Sequence, residues 1–327
     1  MKARVICADV LAGLAEIEAG SVQTCVTSPP YYGLRDYGHA DQIGREASPE
    51  EYVARLVDVF RAVRRVLRED GTLWLNLGDS YTGAANSGGS GKQDSEYRAV
   101  GLQNKRGAGL KSKDLIGIPW RVAFALQADG WFLRSDIVWA KPNPMPESVT
   151  DRPTKAHEYV FLLSLSARYQ YDADAIAEPM LVASSARYEY GFGGAKNEAL
   201  TAAESEGNGG SRTHPIGTRQ ATESRNARTV WTIASEPCAE AHFAVMPETL
   251  ARRCILAGAP PGALVLDPFT GSGTTGIAAV KEGRSFVGVE LNPAYADLAR
   301  ERIGAVEALS SVEDMRRGQV PLFGGPT

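Results

Sequence analysis

Residues 263–290 limit the fold of this chain more than any other stretch. Ala263-Leu264-Val265-Leu266 is an apolar run that reads as a buried strand. It ends in Asp267-Pro268-Phe269-Thr270, turns through Gly271-Ser272-Gly273 and opens a helix at Thr274-Thr275-Gly276-Ile277. Ser285 to Glu290 is a second apolar run, and it ends in an acid. Strand, glycine turn, helix and strand make up the βαβ unit of an α/β sheet. Such sheets hold ligands beyond the carboxyl ends of their strands. Glycines there let a ligand approach the backbone, Thr274 or Thr275 can cap the helix, and Glu290 suits ribose hydroxyls. The same letters satisfy G-x-G-x-x-G, so a nicotinamide dinucleotide is a rival occupant. Asp267 argues against it, because a carboxylate there would repel a pyrophosphate and attract a cation. The Asp-Pro-Phe-Thr segment also delays the glycines, and no lysine follows them as a Walker loop requires.

Far upstream, Val22-Gln23-Thr24-Cys25-Val26 reads as another buried strand, followed by Thr27-Ser28-Pro29-Pro30-Tyr31-Tyr32. Two prolines lack donors and hold φ near about −65°, and each forces the residue before it to be extended. The result is a stiff loop offering carbonyls, one hydroxyl and an aromatic ring. That set suits a planar group with an exocyclic amine: oxygens accept from its N–H groups while the ring stacks on its face. A dehydrogenase would leave this loop unexplained.

Together, Ser-Pro-Pro-Tyr at residues 28–31 and Asp-Pro-Phe-Thr-Gly-Ser-Gly-Thr-Thr at 267–275 resemble the DNA amino-methyltransferases, in the order of motifs known as the β group. The resemblance runs from about Arg4 to Ile303. It implies a Rossmann-like fold, permuted, with a mostly parallel seven-stranded sheet and helices on both faces. It implies S-adenosyl-L-methionine as the methyl donor and double-stranded DNA as the substrate, the target base being cytosine at N4 or adenine at N6. Serine at position 28, rather than aspartate, leans towards cytosine. Ser28, Pro29, Pro30 and Tyr31 are the catalytic candidates. Asp9, Asp267, Pro268, Phe269, Gly271, Ser272, Gly273, Thr274, Glu290 and Asn292 are the candidates for holding the cofactor. Trp139, Lys141 and Asn143 are second-rank candidates for the base pocket. The family pattern His-Pro-Ala-x-x-Pro is altered at His242-Phe243-Ala244, which weakens any role for His242 and Phe243. Homodimers and cognate restriction endonucleases accompany members of this family and are admitted here as partners.

Other stretches divide the chain. Asp9 follows the strand Ala3 to Ala8 and could reach the cofactor or cap the helix Val10 to Ile17. Pro49, Glu50 and Glu51 start a helix to Leu67, broken by Gly71. Gly78-Asp79-Ser80 closes the strand Thr72 to Leu77 and is expected to face the same crevice. Residues 81–114 are rich in Gly, Ser, Asn and Gln, with six cations against three acids. This basic loop is expected to meet the DNA backbone through Lys105, Arg106, Lys111 and Lys113. Residues 181–235 mix Arg, Asn, Gln and Tyr and are expected to form a target-recognition insertion, with Arg212, Arg219 and Arg225 on DNA. The catalytic domain is then 1–180 with 236–310, and 311–327 is a tail. His157, ahead of an apolar strand, reads as hydrogen-bonded structure.

The net charge of −4 does not advertise nucleic-acid binding, so positive charge has to be local. The four cysteines are scattered with no Cys-x-x-Cys pair, so no metal site is expected. Without a signal-peptide pattern or an apolar run of membrane length, a cytoplasmic place and no membrane partner are expected. RNA or a protein amide as substrate, and a non-catalytic nucleic-acid-binding protein, remain as rival readings.

Overall fold

The computed structural model describes residues 2–34, 42–82, 109–179, 224–236 and 246–316, of which 309–316 by backbone alone. Of the residues singled out above, Lys105, Arg106, Arg212, Arg219, His242 and Phe243 lie outside the described residues. The chain divides into two compact units, Met1–Asp172 with Thr229–Thr327, and Ala173–Arg228.

In chain order the large unit has β1 (Ala3–Cys7), α1 (Val10–Ala15), β2 (Val22–Thr27), α2 (Pro49–Val66), β3 (Leu67–Leu77), α3 (Ile118–Ala128), β4 (Phe132–Ala140) and β5 (His157–Ser164). The short strands β6 (Glu178–Pro179) and β7 (Ser224–Arg225) pair antiparallel within the second unit. The large unit resumes with β8 (Val230–Thr232), α4 (Glu248–Gly258), β9 (Leu264–Asp267), α5 (Thr274–Lys281), β10 (Ser285–Glu290) and α6 (Pro293–Arg316).

The sheet of the large unit runs β1-β10-β9-β2-β3-β5-β4-β8. Neighbours from β1 to β3 are parallel, β5 is antiparallel to both β3 and β4, and β8 joins β4 in parallel. The expected seven strands are therefore eight. The additional one, β8, comes from residues placed by sequence in the recognition insertion. Three residues with one buried side chain, Trp231, are too short a run to show strand periodicity.

The central strands are buried on both faces, as parallel sheets require: all six residues of β2 are buried. Leu14 of α1, Tyr52, Leu56, Phe60 and Val63 of α2, and Val122 and Leu126 of α3 pack with Leu73, Leu75, Phe161 and Leu163 of the sheet. On the other face α4 comes so close that a Cβ at Gly258 would lie 2.6 Å from Thr24 Oγ1 and 2.7 Å from Trp74 Nε1. Glycine there is a packing requirement as much as a helix end.

Helix α2 starts as its residues dictate, with Ser48 Oγ accepting from Glu51 N and Pro49 in the first turn. It ends at Val66, ahead of Gly71, which instead lies inside β3. A Cβ at Gly71 would sit 2.9 Å from Arg68 O and 3.1 Å from Gln23 O, so the glycine serves a close backbone approach beside a register shift in β2–β3. Among the described residues no helix is long and apolar enough to cross a membrane.

Candidate active site

Strands β2 and β9 are neighbours although 240 residues separate Thr27 from Asp267. Their following loops therefore leave the sheet side by side at its carboxyl edge. One cleft is lined by Ser28, Pro29, Pro30 and Tyr31 from the first loop and by Asp267, Pro268, Phe269, Gly271, Ser272, Thr274 and Thr275 from the second. Asp9, Glu290 and Asn292 complete the far wall. All four catalytic candidates and nine of the ten cofactor candidates thus meet in one place. The exception is Gly273, which is absent from the lining. Its φ of +88° is left-handed, and a Cβ on it would meet Ala299 of α6 at 3.1 Å. Glycine is required there by the turn and by helix packing.

Asp267 ties the two loops together. Its Oδ1 accepts from Thr27 Oγ1 at 2.6 Å and from Phe269 N at 3.0 Å, and its Oδ2 accepts from Thr275 Oγ1 at 2.7 Å. It is 3% exposed. Burial pushes its carboxyl up to about 6, against the lowering effect of those hydrogen bonds. The expected threonine cap of α5 is corrected accordingly. Thr275 spends its hydroxyl on Asp267, Gly273 occupies the capping position, and no side chain caps the helix.

Glu290 ends β10 and stitches the far wall: Gly271 N donates to Oε2 at 2.8 Å and Asn292 N to Oε1 at 2.9 Å. Burial raises its carboxyl above the ordinary range. Asn292 Oδ1 accepts from Ala294 N as α6 begins. Asp9 caps α1, its Oδ1 accepting from Leu11 N at 2.9 Å and Ala12 N at 3.4 Å, while it also borders the cleft. The observed α1 ends at Ala15, two residues before the expected Ile17. Ser272 Oγ is buried without a hydrogen-bond partner on the cleft wall. A buried hydroxyl left unpaired costs about 1–3 kcal/mol, so it marks a place for a polar ligand group.

The other wall is a network of side chains. Ser28 Oγ lies 3.2 Å from Tyr31 Oη, which lies 2.6 Å from Glu158 Oε2 and 3.1 Å from Asn76 Oδ1. Asn76 Nδ2 donates to Glu158 Oε2 and to Tyr159 O, both at 3.1 Å. Lys141 Nζ forms an ion pair with Glu158 Oε1 and lies 4.2 Å from the centre of the Trp139 ring. Tyr52 Oη, from α2, donates to Pro30 O at 2.8 Å and so fixes the proline loop. Gly78 makes room for the Tyr31 ring, since a Cβ there would lie 2.5 Å from Tyr31 Cε2.

Sequence reasoning missed Glu158 and Asn76. Glu158 reaches the cleft because β5 is antiparallel: its first residues lie beside the last residues of β3 and β4, Leu77 opposite Tyr159 and Trp139 opposite Glu158. A charge at the start of an otherwise apolar strand was the available signal. Of the second-rank candidates, Trp139 and Lys141 line the cleft, whereas Asn143 pairs with the backbone of Ser235 instead. His157 stands edge-on to Tyr159 and is absent from the lining.

Asp79 is a second correction. Its carboxylate accepts from Ser80 N, Gly117 N and Ile118 N at 2.9–3.1 Å, which anchors the start of α3 and keeps Asp79 out of the cleft lining. Lys113, expected on DNA, makes a 2.7 Å surface pair with Asp151, and Lys111 N donates to Asp114 Oδ2. Arg225 lies 3.4 Å from Glu178 inside the second unit.

Comparison with known proteins shows the family. The profile of the N6/N4 DNA methylase family matches residues 22–301. Type II methyltransferase M.SmaI of Serratia marcescens is 46% identical over 300 residues, covering 92% of this chain and 90% of the relative. Type II methyltransferase M.Cfr9I of Citrobacter freundii is 46% identical over 295 residues, covering 90% and 85%. Among solved structures, the cytosine-N4-specific PvuII DNA methyltransferase superposes with a TM-score of 0.60 at 18% identity, covering 94% of this chain and 92% of that one. A putative DNA modification methylase of Thermus thermophilus, solved with S-adenosyl-L-methionine, gives 0.56 at 21% identity, covering 98% and 97%. The profile match over most of the chain and identities near one half over nine-tenths of it place this chain in the DNA methylase family.

Proposed function

We propose that the chain methylates the exocyclic N4 amine of cytosine at a specific sequence in duplex DNA, with adenine N6 as the alternative in the same family. The observation that carries this reading is the shared cleft of the Ser28–Tyr31 and Asp267–Thr275 loops. S-adenosyl-L-methionine supplies a methyl group on a sulfonium, an electrophile that needs only an amine presented to it. The far wall fits that group. Glu290 offers carboxylate oxygens for hydroxyls, Ser272 Oγ lacks a partner, Gly271 allows close approach at a φ of +52°, and Phe269 adds an apolar surface.

A base amine inside a duplex is out of reach, so the target nucleotide leaves the stack at a cost of a few kcal/mol. Tyr31 lies along one face of the extruded base. Ser28 Oγ and the Pro29 carbonyl accept from its amine and orient the nitrogen. Holding two reactants together supplies up to about 7–11 kcal/mol. Lys141, on the cleft lining beside Glu158, offers a donor to the ring nitrogen next to the amine, which is N3 in cytosine and N1 in adenine. Serine at 28, in place of aspartate, favours cytosine by family resemblance. Residues 181–235 and the basic loop at 81–114 supply recognition and phosphate contacts, and the name of the relatives as type II methyltransferases supports pairing with a restriction endonuclease.

Labelled-methyl transfer to duplex DNA, RNA and protein, followed by mass spectrometry of digested DNA, tests the reading. Methyl uptake on duplex DNA as N4-methylcytosine is expected. Uptake as N6-methyladenine would move the target to adenine, and uptake on RNA or protein alone would overturn the assignment.

A further inference from the structure

Glu158 is the acid that the antiparallel strand β5 carries into the target side of the cleft, where it touches Tyr31 of the proline loop and the Lys141 cation. We propose that Glu158 is the terminal proton acceptor of a Ser28–Tyr31–Glu158 chain that drains the target amine during methyl transfer, a role that rests on the methyltransferase reading above.

The direction of the chain follows from what each group can do. An ionised carboxylate only accepts, and a phenol has one proton to give. Tyr31 Oη lies 2.6 Å from Glu158 Oε2 and 3.1 Å from Asn76 Oδ1, so its proton goes to the nearer, charged acceptor. Tyr31 can then only accept from Ser28, whose hydroxyl at 3.2 Å must donate to it. The Ser28 lone pairs are thereby left for a donor in the cleft, which is what a base amine is. Asn76 Nδ2 reaches the same carboxylate oxygen and also Tyr159 O, so its amide cannot turn over without losing both bonds. The charged groups around Glu158 are Lys141, the residue after β4, in contact, and Lys155 from the segment before β5, which donates to Asp79 O at 2.6 Å and interacts electrostatically with Glu158. Both are cations, and they balance the anion at the end of the chain.

The step balances without any further reactant. The nitrogen forms its bond to the methyl carbon as the carbon–sulfur bond breaks, and sulfur keeps that electron pair and becomes neutral. The nitrogen's surplus proton passes to Ser28 Oγ, the Ser28 proton to Tyr31 Oη, and the Tyr31 proton to Glu158 Oε2. Glu158 acts through Tyr31 and is a positioning residue rather than one bound to the base.

The experiment uses the full chain with duplex DNA, S-adenosyl-L-methionine and single-turnover rates in H₂O and D₂O. Glu158→Gln is expected to slow methyl transfer by about 100-fold and to abolish the wild-type solvent isotope effect, with cofactor affinity by calorimetry within about twofold of wild type. Tyr31→Phe keeps the ring and leaves Glu158 paired with Lys141, so its folding is not at stake, and it is expected to show the same loss. The double variant should be no slower than the slower single one. Full-rate Glu158→Gln, an unchanged isotope effect, or losses that multiply in the double variant would each overturn the chain. An inactive wild type on duplex DNA would instead defeat the methyltransferase reading beneath it.

Discussion

The two walls of the cleft are built on opposite principles. On the cofactor side, the carboxylates are satisfied from within, Ser272 Oγ alone being left open: Asp267 accepts three hydrogen bonds from its own surroundings, and Glu290 is held by two backbone N–H groups. On the target side, Ser28, Tyr31, Asn76, Glu158 and Lys141 form a chain with one end open to the cleft. The first wall holds a shape, and the second conducts polarity towards a substrate. Changes on the first should therefore register in folding, and changes on the second in turnover.

The sharpest way to break this contrast is Asp267→Ala. It strands the hydroxyls of Thr27 and Thr275 and the Phe269 N–H, and we expect a loss of about 3 kcal/mol or more in urea unfolding. A loss under about 1 kcal/mol would mean that the cofactor wall is not self-supporting. Nearly as large is a pH effect. Burial raises the Asp267 carboxyl from 3.8 to about 6 in the folded chain, so the folded state binds that proton more tightly than the unfolded one. Its contribution to stability is full below about 4 and is lost as pH rises through about 6, a change near about 3 kcal/mol. Asp267→Asn cannot titrate. Its stability relative to wild type should rise between about pH 4 and pH 7, and a flat difference in unfolding midpoints would contradict the burial argument.

Gly78→Ala comes next and probes the other wall. The added methyl meets the Tyr31 ring at 2.5 Å, so the ring and its hydroxyl must shift. Overpacking of this kind costs about 1–3 kcal/mol. We expect methyl transfer to fall at least tenfold while the protein stays folded by circular dichroism. The smallest effect belongs to Asp79→Ala, which removes an anchor of α3 outside the cleft. Loss of such a helix-start acceptor costs about 1 kcal/mol, and the methyl-transfer rate should stay within about twofold of wild type.

The contrast also explains what could be read from the chain alone. The cofactor wall comes largely from one contiguous run, residues 263–292, whose apolar strand, glycine turn and acid-ended strand follow local rules, so eight of its expected residues lie on the cleft together with Asp9. The approach of Gly273 to Ala299 and the bond from Thr275 to Asp267 are contacts of the fold, which the motif by itself does not show. The target wall draws on β2, β3, β4 and β5, and only its Ser-Pro-Pro-Tyr segment is local. Glu158 depends on a strand running against its neighbours, which spacing along the chain does not reveal. Asp79 was expected at the cleft on position alone, and the helix it anchors begins at Ile118, far along the chain. The eighth strand was hidden for a similar reason, being three residues that pair only because β4 offers an edge.

One consequence follows from the pairing of β2 with β9. The two loops of the cleft are neighbours through a ladder of main-chain hydrogen bonds between the strands before them, and their order along the gene is immaterial to that adjacency. A reshuffled sequence encoding the same strands in another succession, with crossovers of the same hand, would rebuild the same centre. Lineages of such enzymes can thus exchange the order of their segments while keeping their chemistry.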